Sequence, residues 1–158
     1  GSSRFQTLLH THGQQVPWHA QACDGLAQAI EASTWQADGN LAEIEALCAR
    51  YISVLGQFGP NSGHMDTLVL CCTHYVFARP VLQRLVGPHV HLLDTGKAVA
   101  QQTQRLLQQG QLLAPPPPAT TTAAMQLFTT GQLPALQAAA QRWLGLPANC
   151  CSVAQALV

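Results

Sequence analysis

The run Thr67-Leu68-Val69-Leu70-Cys71-Cys72 limits the possible folds of this chain more than any other stretch. After Thr67 it shows no polar alternation, so it does not read as a strand with one wet face. A short continuous apolar run fits a parallel strand covered on both faces. Parallel neighbours cannot be joined by a tight hairpin, so such a strand needs helical crossovers beside it.

The flanking sequence supplies them. Before the run, Ser2 or Ser3 can cap a first helix with Phe5, Leu8, Leu9 and His12 on one face, and Gly13 ends it. Val16 to Ala22 reads as a strand. Asp24 can cap a short helix through Ser33. Asn40 precedes the best amphipathic stripe, Leu41, Ile44, Cys48, Tyr51, Ile52, Leu55 and Phe58. Residues 59–63 form a loop, and the central strand spans 66–71.

After the central strand, a turn is expected over 73–78. Pro80 suits the first position of a helix to about Val86. Val90 to Leu93 reads as a strand, and Asp94 or Thr95 caps a helix to Gly110. Pro115 to Pro118, followed by Ala119 to Thr122, reads as a stiff polyproline linker or excursion. A strand at 125–129, a helix at 134–144 and a last strand at 151–156 complete the pattern. Alternating strand and helix predicts an α/β chain with a doubly wound parallel sheet.

Composition narrows the function. With 158 residues the chain can build a real core. Charged residues are only 9% and the formal net charge is zero, so no basic stripe is present to attract nucleic acid. No membrane span or signal peptide is evident, and a cytoplasmic location is expected. The six cysteines sit in apolar runs without a C-x-x-C pair, which favours reduced thiols over a disulfide framework or a zinc ribbon.

The chemistry concentrates in Cys72-Thr73-His74-Tyr75, at the end of the apolar strand. Strand ends of open α/β sheets face the ligand crevice. A thiolate is the reactive form of cysteine, and it needs positive potential or a base nearby. The Thr73 hydroxyl and N–H can bind a carboxylate, and His74 can carry a proton. A cysteine in an apolar strand is also a common packing residue, and the residues leave both readings open. Cys71 should face the other way and pack. Cys48, on the core stripe, reads as structural. His89-x-His91 places two imidazoles on one face of a strand, but a third ligand at zinc-site spacing is missing. His64 reads as solvated, and Cys150-Cys151 receives no role.

The segment Asp66 to Tyr75 resembles the Gly-Cys-Thr-His-Tyr-Pro signature of glutamate racemases, in the aspartate/glutamate racemase superfamily. The resemblance continues through Leu92-Leu93-Asp94-Thr95-Gly96, Ala98-Val99-Ala100 and Thr103. It extends to Arg4 through Gly13, to Cys23 through Glu31, and to Phe128 through Gly131 with the helix to Gly145. The family's glycine before the cysteine is Cys71 here, and its proline after the tyrosine is Val76. Nothing matches the family's Asp-Ser motif or its Ala-Cys-Asn-Thr motif, so the chain looks like a C-terminal portion.

The resemblance implies cofactor-independent interconversion of L- and D-glutamate by two opposed thiols, supplying D-glutamate for peptidoglycan and so for cell-wall biogenesis and cell shape. It gives Cys72 the role of one acid/base, Thr73 and His74 substrate contacts, His74 the assistance of the thiol, and Glu31 a place beside that histidine. No metal or other cofactor is implied. The partner is a small-molecule substrate, and homodimerisation is left open. The family's two-lobe architecture assigns residues 1–96 to most of the substrate lobe. Residues 97–158, with the Pro-rich excursion at 114–122, would belong to the other lobe and leave apolar surface uncovered. Competing readings are a racemase for aspartate, a hydantoin or a malonate derivative, a non-catalytic or regulatory binding fragment, and a zinc module.

Overall fold

The computed structural model describes residues 3–13, 16–33, 41–115 and 125–154. Helix α1 is Ser3–His12, α2 Leu26–Ala32 and α3 Leu41–Ser53. Strand β1, Thr67–Leu70, is followed by a 3-10 turn at Tyr75–Ala78, helix α4 at Arg79–Val86 and strand β2 at His91–Asp94. Helix α5 is Gly96–Gln109, β3 Leu127–Thr129, α6 Leu133–Leu144 and β4 Cys151–Val153.

The strands are parallel and form two separate pairs, β1 with β2 and β3 with β4. In each pair a helix lies between the strands in sequence, α4 in the first and α6 in the second. This is the βαβ logic expected of an α/β chain. In the first pair Thr67, Leu68, Val69 and Leu70 stand opposite His91, Leu92, Leu93 and Asp94. The central strand was expected to be covered on both faces, and it is not. Leu70 and Leu92 are buried on the inner face, whereas Val69 and Leu93 are 37% and 52% exposed on the outer one. The helix that follows β2 leaves that face open: α5 buries none of its residues, and Val99 and Leu106 are exposed.

Several local expectations are corrected. Val16 to Ala22 forms no strand but an irregular segment. Val16 and Trp18 are exposed, so no apolar surface is buried to hold the segment straight. Trp18 folds back on the end of α1 instead. A Cβ on Gly13 would lie 2.5 Å from both the Leu9 carbonyl oxygen and Trp18 Nε1, which explains the glycine there. Asp24 does not cap α2. The capping position is Gly25 at φ 82°, and the Asp24 carbonyl accepts a hydrogen bond from Tyr51 Oη at 2.6 Å. Ser3 is the first residue of α1 rather than its cap. Helix α3 stops at Ser53, so Leu55 and Phe58 lie beyond it.

At α5, the Asp94 carboxylate accepts the Gly96 N–H at 3.0 Å, while Thr95 occupies the cap position without a side-chain bond. Ser2, Asn40, residues 116–124 of the Pro-rich excursion and the last expected strand residues, 155–156, lie outside the described residues.

The core joins α2, α3, α4, β1 and β2. Leu26, Ile30, Ile44, Cys48, Leu70, Leu82 and Leu92 are buried in it. Removing such side chains from water is the main favourable term in folding, at roughly 25 cal/mol per Å². Helix α6 docks on this core through Trp143, whose ring stacks on Phe77 with centroids 4.5 Å apart. The neighbouring Arg142 guanidinium donates to the Ser33 carbonyl.

Candidate active site

The inner face of β1 ends at Leu70, and the chain then turns. Cys71 is exposed rather than packed, and Cys72 is half-buried. The turn closes through Tyr75 N–H to the Cys72 carbonyl at 3.2 Å and Phe77 N–H to the His74 carbonyl at 3.0 Å. This curl folds His74 back toward the thiol. Cys72 Sγ lies 3.8 Å from His74 Nδ1, and Thr73 Oγ1 lies 3.5 Å from the same nitrogen.

The other ring nitrogen is held from α2. His74 Nε2 is 2.8 Å from Glu31 Oε1. A carboxylate can only accept, which assigns the proton of a neutral imidazole to Nε2. Nδ1 then carries the lone pair and faces Cys72. The arrangement is a thiol, an imidazole and an orienting carboxylate in series.

Two tyrosines position the segment that leads into α2. Tyr75 Oη donates to the Cys23 carbonyl at 3.3 Å, and Tyr51 Oη donates to the carbonyl of Asp24. Burial is the main cause that pushes the Tyr75 hydroxyl up to about 12. Burial likewise raises the Cys23 thiol, with neighbouring Asp24 and Cys72 adding to it. On the other side, the Arg79 guanidinium donates to the Leu92 carbonyl at 3.1 Å and to the Asp94 carboxylate, tying the start of α4 to the end of β2.

A cavity of about 450 Å³ adjoins Glu31 and His74. Its walls include Ile30 from α2, Phe77 from the turn, and Leu136 and Trp143 from α6. Among the described residues that line it there is no Arg or Lys, and Cys72 and Thr73 are not among them. A mainly apolar wall without a cation is poorly suited to carboxylate groups.

The structure thus gathers Cys72, Thr73, His74 and Glu31. It does not bring His89 and His91 onto one strand, because His89 precedes β2. His64 is partly buried rather than fully solvated. Among the described residues, no group of three or more His, Cys, Asp or Glu is placed to hold a metal ion. No described helix is long and apolar enough to cross a membrane. The sequence reading missed the Tyr75 anchor and the Phe77–Trp143 wall. The only available signal for the wall was aromatic character at the turn and near the end of an amphipathic helix.

No family model matches the chain. It is 44% identical over 110 residues to a glutamate racemase of Herpetosiphon aurantiacus, covering 70% of this chain and 40% of that protein. It is 38% identical over 144 residues to a glutamate racemase of Ectopseudomonas mendocina, covering 91% of this chain and 50% of the relative. The chain therefore spans half the length, or less, of these curated relatives. The crystal structure of glutamate racemase isoform RacE1 from Bacillus anthracis superposes with a TM-score of 0.70 at 24% identity, over 96% of this chain and 51% of that one. This match establishes the α/β fold.

Proposed function

The chain belongs to the glutamate racemase family, and from that premise we propose that it supplies one half of a cofactor-independent glutamate racemase site. Cys72 is the acid/base on one face of the substrate α-carbon. The observation that carries this reading is the series Cys72 Sγ, His74 Nδ1 and Glu31 Oε1, with separations of 3.8 Å and 2.8 Å.

Chemically, His74 takes the Cys72 proton at Nδ1, and Glu31 stabilises the imidazolium that forms. The thiolate then removes the α-proton. The Thr73 hydroxyl, exposed beside the imidazole, is the donor for a substrate carboxylate. Among the described residues, the mainly apolar wall of the cavity behind His74 holds no cation, which favours a substrate on the Cys72–Thr73 side of the ring.

Racemisation needs a second acid/base on the opposite face. In this reading it lies in the part of such a protein outside the matched stretch. Residues 1–96 form most of the substrate lobe, and 97–158 belong to the other lobe. D-glutamate made this way would serve peptidoglycan synthesis in the cytoplasm.

Deuterium exchange at the α-carbon of L- and D-glutamate in heavy water tests the proposal, with Cys72→Ala as control. Exchange of one enantiomer, abolished by the substitution, is expected. Carboxylate binding with no exchange of either enantiomer would instead favour a non-catalytic binding role.

A further inference from the structure

Cys150 and Cys151 are adjacent in sequence, and their sulfurs lie 3.8 Å apart. Neighbouring side chains in a regular strand point to opposite faces. Here they converge because Cys150 closes a 3-10 turn, Ala148–Cys150, and Cys151 opens β4. Cys151 is only 7% exposed and Cys150 is half-buried, so the pair is open to solvent from the Cys150 side. Cys71 and Cys72 have the same spacing in sequence and a different arrangement: Cys72 Sγ turns to His74 Nδ1, and Cys71 is exposed.

We infer that Cys150 and Cys151 form a dithiol chelate site for a thiophilic metalloid of the trivalent organoarsenical class. The site is separate from Cys72, His74 and Glu31. Two sulfurs bonded to one centre at about 2.3 Å stand about 3.3–3.8 Å apart for bond angles between a right angle and the tetrahedral one. The pair already stands at the upper end of that span.

The donor set selects the ligand. A structural zinc ion needs four ligands, and among the described residues no third His, Cys, Asp or Glu joins these two thiols. A trivalent arsenic carrying one organic group has two positions to exchange, matching two sulfurs. Protonation points the same way. Burial raises the Cys151 thiol above its ordinary value, with its neighbour Cys150 adding to the shift. A divalent cation requires deprotonated thiols, whereas an organoarsenic oxide takes neutral ones. Each S–H passes its proton to the oxide oxygen, two As–S bonds form, both arsenic–oxygen bonding pairs are lost, and one water leaves. Arsenic stays trivalent, so no oxidant or reductant is required.

The site adjoins the cavity wall. Cys151 pairs in register with Leu127 of β3, which lines the cavity beside Glu31 and His74.

Intact-mass measurement of the reduced chain with phenylarsine oxide, in excess glutathione, tests the site. The expected result is one adduct that survives the monothiol and is reversed by dimercaptopropanol. It is lost in Cys150→Ser and in Cys151→Ser, and persists in Cys71→Ser. Cys150 is half-buried, so Cys150→Ser alone decides the matter should Cys151→Ser fail to fold. An adduct retained in folded Cys150→Ser, or mapped to Cys71 and Cys72 by digestion, overturns the inference. So does the absence of any adduct on the folded chain.

Discussion

Glu31 Oε1 lies 2.8 Å from His74 Nε2, although 43 residues separate them in sequence. The pair joins α2 to the turn after β1 and sets the imidazole so that its other nitrogen meets Cys72. A carboxylate in this position both orients the ring and stabilises its charged form. Glu31→Gln keeps an oxygen for the Nε2 proton and loses the charge. The α-proton exchange rate is expected to fall roughly a hundredfold, at the low end of what a positioned acid/base group contributes. An unchanged rate would remove Glu31 from the proton path.

The two cysteines after β1 should separate cleanly. Cys71 is exposed, while Cys72 faces the imidazole. Cys71→Ser is expected to leave exchange within about twofold, as for surface substitutions generally, and Cys72→Ser to abolish it. Comparing the initial exchange rates of the two variants checks this. Equal losses would mean that the turn, rather than the Cys72 thiol, is what matters.

Trp143 anchors α6 by stacking on Phe77 with planes 29° apart. Trp143→Ala should cost about 3 kcal/mol, the lower edge for a large aromatic because the residue is partly exposed. Urea unfolding followed by circular dichroism gives the value. A midpoint matching the parent would show that the stack adds no stability.

Alkaline pH should destabilise the fold. Burial pushes the Cys48 thiol from an ordinary 9.0 up to about 11, with Cys23 and Glu45 adding to the shift. The Tyr75 hydroxyl rises from 10.0 to about 12. In those windows the unfolded chain holds fewer protons than the folded one, so stability falls as pH rises. The Cys48 contribution is intact below about 9 and is lost on approaching 11. Cys48→Ala should flatten that part of the profile when denaturant midpoints are compared between pH 8 and pH 11. A slope unchanged by the substitution would assign the loss to other groups.

The parallel β1–α4–β2 unit was legible because its signals are local: an apolar run, a proline at the helix start and a glycine after its end. The neighbours of His74 within the turn were legible for the same reason. Glu31 came into view only through family resemblance, since a contact across 43 residues leaves no mark in hydrophobic periodicity. Val16 to Ala22 misled because strand propensity reports fit to a half-buried sheet, and among the described residues no sheet edge receives this segment. The apolar run at β1 correctly indicated a parallel strand. It overstated coverage, because burial of Val69 depends on what lies across the sheet and not on Val69 itself.

Arg142 reaches the Ser33 carbonyl across 109 residues of chain. The order of assembly follows from that distance. Contacts within β1–α4–β2 and within β3–α6–β4 close short loops, while the contacts of α6 with the core, Arg142 to Ser33 and Trp143 to Phe77, close long ones, whose entropy is lost before they yield any stability. Helix α6 should therefore dock last in folding and release first in local opening. Amide protons on α6 would then exchange well before those of α3 and α4, and the aromatic wall behind the imidazole would come and go while the core stays shut.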